Sequence, residues 1–299
     1  MLVHLNHNPQ APERVVVVGA RGFIGSALVS RLRQDGVSAL PLSSADIDLT
    51  QPGSEEALAG RLRPTDSLVM LSCRTPDKGR DLATTLQNLA MGHHFALAAA
   101  KAACRHVVYF SSDAVYGDET QWVSDDTKAE PNSPYGAMHL TREVLLKSTM
   151  AGVLAVIRPT LVYGLADTHH SYGPNRFRRM SEKDGRITLF GHGEERRDHI
   201  FIDDLIELTL RVLRRRSIGM ALGVTGRSPS FAEIAALVSK QFSPPAAIVN
   251  LPRANPAAPI LHRHFDITGV LTAFPDMRYT PIEDGVALIH RQAREAAHA

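Results

Sequence analysis

Blocks of apolar residues alternate with amphipathic stretches through the first half of the chain. The run Val15-Val16-Val17-Val18 is apolar at every position, as in a strand covered on both faces, and Ala27, Leu28, Val29 and Leu32 then return at helical spacing. The same criteria predict strands at 14–18, 39–42, 67–71, 106–110 and 153–157. Between them they predict a helix reaching Gln34 and helices over 54–62, 82–103 and 134–151. Strand and helix in strict alternation build a parallel sheet with helices on its faces, an α/β class of fold.

After Arg158-Pro159 the rhythm breaks. Residues 164–197 are rich in glycine, histidine and arginine, and only 176–183 has a helical pattern. A short strand follows at 198–202, then a helix to Arg216 for which Asp203 or Asp204 is the expected cap, then a strand at 220–225 that returns to the sheet. Prolines 244, 245, 252, 256 and 259 mark a separate C-terminal segment. The expected division is a sheet domain of residues 1–163 joined by 198–226, and a smaller substrate lobe of 164–197 and 227–299. Ligands of such sheets bind beyond the carboxyl ends of the strands, so the cleft is expected between sheet and lobe. The first thirteen residues are expected to be a loose lead-in.

The turn from the first long strand into its helix reads Gly19-Ala20-Arg21-Gly22-Phe23-Ile24-Gly25. Gly19 permits the tight turn, Gly22 admits a pyrophosphate close to the backbone, and Gly25 lets helix and strand pack closely. The helix N-terminus then offers N–H groups and the positive end of its dipole to the phosphates. With strand before and helix after, the motif predicts a dinucleotide site and a Rossmann-type doubly wound sheet. An acidic residue at the end of the second strand would accept a ribose 2'-hydroxyl and select NAD. Here that strand ends Leu42-Ser43-Ser44 with no acid before Asp46, so a 2'-phosphate meets no repulsion and NADP is favoured over NAD, with Ser43, Ser44 or Arg21 as its contact.

Bulk properties narrow the partners. The 299 residues are 44% hydrophobic, enough for a substantial core, and 33 basic against 31 acidic residues leave a net charge of +2. That balance argues against a nucleic-acid or membrane surface as the main partner. Neither an export signal nor a run of about 18 apolar residues is present. Cys73 and Cys104 lack metal-type spacing, and two small cysteines suit a reducing cytoplasm. The histidine pairs lack a matching third ligand, so no metal is expected. The arginine clusters at 176–179 and 214–216 are read as solvated helix faces, the second suited to a helix C-terminus.

Two further stretches carry chemistry: Phe110-Ser111-Ser112-Asp113-Ala114-Val115-Tyr116-Gly117 and Ser133-Pro134-Tyr135-Gly136-Ala137-Met138-His139. With the glycine motif, Asn88, Arg158-Pro159, Tyr163-Gly164 and Arg197-Asp198-His199-Ile200, they make the chain resemble the extended short-chain dehydrogenase/reductase superfamily, in its nucleotide-sugar epimerase, dehydratase and ketoreductase branch. The resemblance implies that Ser112 and Tyr135 are the active pair. Hydride moves between a nicotinamide and a carbinol or carbonyl carbon only if a proton moves at the attached oxygen. A tyrosine brought down from its ordinary pKa of about 10 does this, and a serine hydroxyl holds the oxygen.

His139 departs from the family's Tyr-x-x-x-Lys pattern, in which lysine binds the nicotinamide ribose and lowers the tyrosine pKa. The i, i+4 spacing keeps Tyr135 and His139 on one helix face, but an unperturbed histidine is mostly neutral at pH 7. Three readings stay open: His139 partly replaces the lysine as imidazolium, another cation does so, or proton transfer is weakened. By the same resemblance Gly19, Arg21, Gly22, Phe23, Ile24, Gly25, Ser43, Asp48, Leu49, Leu71, Tyr135, His139 and Pro159 bind the cofactor. Asp113, Asn175 and Arg197 face the substrate, a nucleotide-sugar whose diphosphate suits a bidentate guanidinium.

Dehydratases of this branch follow the catalytic hydroxyl residue with Asp-Glu, whereas this chain has Asp113-Ala114. Dehydration is therefore disfavoured, and ketoreduction is preferred to 4-epimerisation with tightly held NAD. A cofactor-binding scaffold or sensor that has lost catalysis is the alternative of another class. Relatives pair through helices matching 82–103 and 134–151, which implies a homodimer.

Overall fold

The computed structural model describes residues 1–168 and 173–298. The chain begins with an edge strand, β1 (Leu2–His4), and then enters the alternating region. There β2 (Val15–Val18), α1 (Phe23–Gln34), β3 (Ala39–Leu42), α2 (Ser54–Ala59), β4 (Ser67–Met70), α3 (Leu82–Lys101) and β5 (His106–Phe110) follow in order. A short 3-10 turn at Asp113–Val115, strand β6 (Trp122–Val123), α4 (Pro134–Met150) and β7 (Leu154–Pro159) come next. Beyond them lie β8 (Leu161–Tyr163), α5 (Pro174–Asp184), β9 (Arg186–Phe190), β10 (His199–Phe201), α6 (Ile202–Arg215) and β11 (Ser217–Gly223). The C-terminal part adds α7 (Phe231–Ser239), β12 (Ala247–Leu251), β13 (His264–Phe265), α8 (Thr268–Ala273) and α9 (Ile282–His298).

Among the described residues the main sheet runs β1-β11-β7-β5-β4-β2-β3, all parallel except β1. This is the doubly wound α/β sheet the sequence predicts. The period of two within each strand divides the core. Val15 and Val17 face the layer of α1 and α6, while Val16 and Val18 face the layer of α2, α3 and α4. The chain leaves β2 first for β3 and then, on the opposite side, for β4, so the strand order reverses between β2 and β4. That is where an open sheet binds its ligand. Gly19 sits there with φ +95°, and a Cβ on it would meet the backbone nitrogen of Ser72 at 2.7 Å.

A third apolar cluster joins Phe177 of α5, Ile187 and Leu189 of β9, and Phe231, Ile234 and Val238 of α7 with Val286 of α9. It carries the two-stranded parallel sheet of β9 and β12, outside the main sheet.

Three local expectations need correction. The N-terminal segment is no loose lead-in: β1 pairs antiparallel with β11, and the His4 ring hydrogen-bonds Ser217 Oγ at 2.8 Å and the Ala273 carbonyl at 3.0 Å. Neither Asp203 nor Asp204 caps α6; Phe201 is its N-cap, and Asp204 instead accepts the backbone N–H and hydroxyl of Thr280. The strand expected at 198–202 is β10, which pairs with β8 rather than with the main sheet. Strand β11 does return to the main sheet, beside β7.

Candidate active site

Helix α1 has no side-chain cap and no acidic residue in its first turn, which leaves its N-terminal amides for an anion. The glycines fit the motif's demands. A Cβ on Gly25 would lie 2.3 Å from the Gly19 carbonyl oxygen, and one on Gly22 would lie 3.3 Å from it. Phe23 is buried beneath Gly164, and Ile24 is half-buried. On the outer side of this turn, Arg21, Ser26, Ser30, Arg33, Ser43 and Asp46 line a cleft of about 610 Å³. Leu71 and Pro159 lie at the carboxyl ends of β4 and β7.

Asp46, one turn beyond the end of β3, folds back into this cleft. Its Oδ2 accepts the Ser43 N–H at 2.9 Å and the Ser43 hydroxyl at 2.6 Å, and these bonds hold its carboxyl below the ordinary range. Asp48 is bound in a local turn by the backbone and hydroxyl of Thr50, and the Leu49 carbonyl meets the His94 ring at 2.9 Å.

Strand β5 ends at Phe110 and delivers Ser111 and Ser112. Ser111 donates to Glu143 Oε1 at 2.7 Å, and Glu143 is held by both Nε and Nη2 of Arg158 at 2.8 and 2.7 Å, with Arg158 Nη1 donating to Tyr116. This buried, fully paired network ties β5, α4 and β7 together beneath the site. Arg158 therefore faces the interior. Ser112 caps the following 3-10 turn, its Oγ accepting the Ala114 N–H at 3.2 Å and donating to Asp113 Oδ1 at 3.4 Å.

Helix α4 starts with Ser133 as N-cap and Pro134 in its first turn, and it lands on that same turn. A Cβ on Gly136 would fall 1.9 Å from the Ala114 carbonyl oxygen, so only glycine permits this approach. Tyr135 is thereby set beside the segment that carries Ser112. Burial pushes its phenol well above its ordinary pKa, with the Cys73 thiol adding to the effect and the Arg142 charge opposing it.

His139 is 2% exposed and stacks edge-on against Tyr135, ring centroids 4.6 Å apart. Its Nδ1 meets the Tyr109 hydroxyl at 2.6 Å and its Nε2 faces Cys73 Sγ at 3.8 Å. Burial first, and then the Arg142 charge, hold it well below the ordinary histidine pKa. Both causes favour the neutral imidazole over a charged stand-in for lysine. Arg142, three residues on, was not recognised in the sequence. It is 1% exposed and donates to the backbone carbonyls of Ser72 and Asn88. Asn88 in turn clamps the loop of Cys73, exchanging bonds of 2.8 and 2.9 Å with the Arg74 backbone.

Beyond Ser112 opens a second cleft of about 610 Å³, lined by Asp113, Ser133, Arg176, Phe190, Arg197 and Arg263 among others. Arg197 is aimed by Glu195 at 2.7 Å, and its chain neighbour Asp198 is buried and accepts from the Thr225 and Gly226 amides. Arg263 was also missed in the sequence. It is 2% exposed and bonds the carbonyls of Asp113 and Gly117, yet its Nε has no partner among the described residues. Burial raises the Asp113 carboxyl against the opposing charges of Arg263 and Arg197. Asn175, expected at the substrate, is buried away from this cleft with its amide nitrogen on Gly164 O and Asp167. Arg196, by contrast, pairs with Glu233. His169 and His170, one of the histidine pairs considered for a metal, lie outside the described residues.

The profile of the NAD dependent epimerase/dehydratase family matches residues 15–221, which span the sheet and both active-site segments. The chain belongs to that family. A UDP-glucose 4-epimerase of Mycolicibacterium smegmatis is 30% identical over 230 residues, 66% of this chain and 72% of that protein. A probable GDP-L-fucose synthase of Drosophila melanogaster is 24% identical over 68% of this chain and 72% of its own length. The solved GDP-L-fucose synthetase of Naegleria fowleri bound to NADP superposes with a TM-score of 0.82 at 16% identity, covering 100% of this chain and 98% of that one. A Thermus thermophilus UDP-glucose 4-epimerase in complex with NAD gives 0.79 at 18%, covering 95% and 99%. As a member of the NAD-dependent epimerase/dehydratase family, the protein uses a nicotinamide cofactor. No helix among the described residues is long and apolar enough to cross a membrane. Nor do those residues hold a cluster of three or more His, Cys, Asp or Glu side chains suited to a metal.

Proposed function

We propose that this member of the NAD-dependent epimerase/dehydratase family is a ketoreductase of nucleotide-sugars, in which Tyr135 gives a proton to the substrate oxygen and Ser112 holds that oxygen. The observation that carries the reading is the packing of Gly136 on Ala114, which sets Tyr135 at the start of α4 beside the turn that carries Ser112. Burial favours the protonated phenol, the form a donor needs, although it does not lower the phenol pKa as the family's lysine does. Reduction of a ketone begins with proton donation, whereas epimerisation must first remove a proton from a sugar hydroxyl. A bound nicotinamide supplies the hydride. Gly19, Gly22 and Gly25 would seat its pyrophosphate, with Phe23 and Ile24 opening the helix behind them. Arg21, Arg33 and Ser43 would take a 2'-phosphate, two guanidiniums against the one carboxylate of Asp46, which favours NADP.

On the substrate side Arg176, Arg197 and Arg263 line a cleft with three acids, of which Glu195 is paired with Arg197 and Asp113 is drawn toward its uncharged form by burial, leaving Asp118. That charge pattern suits a diphosphate. In this reading residues 1–163 with 198–226 hold the cofactor, and 164–197 with 227–299 cover the sugar. The exposed Leu82, Leu86 and Leu97 of α3 and Val144 of α4 lie on neighbouring helices and suit a homodimer through that pair.

The second reading is a 4-epimerase with retained NAD, which the 30% identical UDP-glucose 4-epimerase favours. Incubation with NADPH or NADH and a panel of 4-keto nucleotide-sugars, followed at the nicotinamide absorbance, separates the possibilities. Net oxidation of NADPH is expected. Isomerised sugar without net oxidation would establish the epimerase, and cofactor binding with neither outcome would indicate a scaffold.

A further inference from the structure

The family pattern gives one lysine two tasks beside the tyrosine, a hydrogen-bond donor and a fixed positive charge. This chain has histidine at that position, yet it keeps a buried cation nearby. Arg142 lies seven residues after Tyr135, on the same face of α4, and its side chain crosses to α3 where Gly92 makes room. A Cβ on Gly92 would meet Arg142 Cγ at 2.7 Å. The guanidinium bonds only to neutral groups, the backbone carbonyls of Ser72 and Asn88. Among the described residues no carboxylate pairs with it. Its charge is therefore not cancelled locally, and it acts on everything around His139.

The hydrogen-bond directions follow from the donor inventory. Among the described residues the Tyr109 hydroxyl has no acceptor besides His139 Nδ1, 2.6 Å away, so its proton goes there, while the Cys73 thiol turns its own proton to the Arg74 carbonyl at 3.6 Å and leaves its sulfur to accept. An imidazole that accepts at Nδ1 and is neutral carries its proton on Nε2. That N–H points toward Cys73 Sγ, on the side of the helix where Tyr135 lies.

We propose that Arg142 and Tyr109 are positioning residues that lock His139 as the neutral Nε2–H tautomer, dividing the two tasks of a single lysine between an imidazole donor and a guanidinium charge. The proposal rests on the reading of Tyr135 as proton donor. The charged and titratable groups facing His139 are Tyr135 and Arg142 from its own helix, Tyr109 from β5, and Cys73 from the loop after β4. Lys78 and Glu143 stand further off, acting on Cys73 and Tyr109 respectively. Arg142 is the fixed charge in this set, and it opposes both a charged imidazole and a phenol of raised pKa.

Nitrogen-15 NMR of the histidine rings in the cofactor-free protein tests this, with His139→Gln to assign the signal. The expected spectrum is the Nε2–H tautomer with no protonation as pH falls through 6.5, the ordinary histidine value. Tyr109→Phe deletes one hydroxyl and should turn the single tautomer into a mixture. Arg142→Met should raise the midpoint of His139 protonation, and Arg142→Lys, which keeps donor and charge, should restore the wild-type behaviour. If Arg142→Met does not fold, Tyr109→Phe decides alone. An Nδ1–H signal in the wild type, protonation at the ordinary value, or an unchanged spectrum in Tyr109→Phe would overturn the proposal. None of these measurements needs substrate, so their failure is distinct from a failure to reduce any nucleotide-sugar.

Discussion

Replacing Gly136 by alanine puts a methyl group 1.9 Å from the Ala114 carbonyl oxygen. Both sides of that contact are backbone, so no side chain can swing aside. Reaching an ordinary 3.4 Å contact requires about 1.5 Å of separation between the start of α4 and the turn after Ser112. Alanine is the better helix former by about 1 kcal/mol, but forced overpacking costs roughly 1–3 kcal/mol, so a modest net loss of stability is expected. The larger effect is on geometry. A shift of about 1 Å between reacting groups lowers turnover by about 100-fold. The substitution should therefore reduce kcat for a 4-keto nucleotide-sugar by that order while NADPH affinity, set at the glycine turn of α1, stays within about threefold. Stopped-flow reduction gives the first number and fluorescence titration the second. Wild-type turnover in a folded Gly136→Ala protein would refute the claim that this contact joins Tyr135 to Ser112.

Other consequences are equally open to measurement. Arg33→Ala should weaken NADPH binding about tenfold and leave NADH nearly unchanged, while Asp46→Asn should shift preference further toward NADPH; equal effects on both cofactors in titration would contradict the assignment. His106 is fully buried against the Ser217 carbonyl, and burial lowers its pKa to about 4. The folded state then binds fewer protons than the unfolded chain between pH 6.5 and 4, so its contribution is intact above 6.5 and is lost as pH falls through that window, amounting to about 3 kcal/mol. Urea midpoints for wild type and His106→Gln should converge on acidification, and parallel curves would refute this. Glu143→Leu strands the buried Arg158 guanidinium and should cost about 3–5 kcal/mol, whereas Glu130→Ala, at an exposed ion pair, should leave the midpoint nearly unchanged in the same unfolding assay.

The architecture was legible because its determinants are local. Four consecutive valines, a glycine turn and an amphipathic helix form one continuous pattern, and Ser112, Tyr135 and His139 each sit at the edge of an element that periodicity locates. The missed residues depend on contacts distant in sequence. Arg263 comes from a proline- and histidine-rich stretch without period, and reaches the site only by bonding to carbonyls some 150 residues earlier. Arg142 was hidden because a charged residue on an amphipathic helix is ordinarily solvated, and only Gly92 on another helix makes room for it. Strand β1 is three residues long with a polar end, too short for any pattern, and is defined by its partner β11. Asn175 was expected to offer its amide to the substrate, but the bonds to Gly164 and Asp167 that turn it inward follow from tertiary packing alone.

The central claim is that Tyr135 delivers the proton that accompanies reduction. Its most direct test is single-turnover oxidation of NADPH by a 4-keto nucleotide-sugar in wild type and in Tyr135→Phe, with sugar products identified. Stoichiometric oxidation and a reduced sugar in the wild type, falling by about 100-fold or more in the phenylalanine variant, is the predicted result. Oxidation at an unchanged rate in Tyr135→Phe, or an epimerised sugar with the nicotinamide absorbance constant, would contradict it.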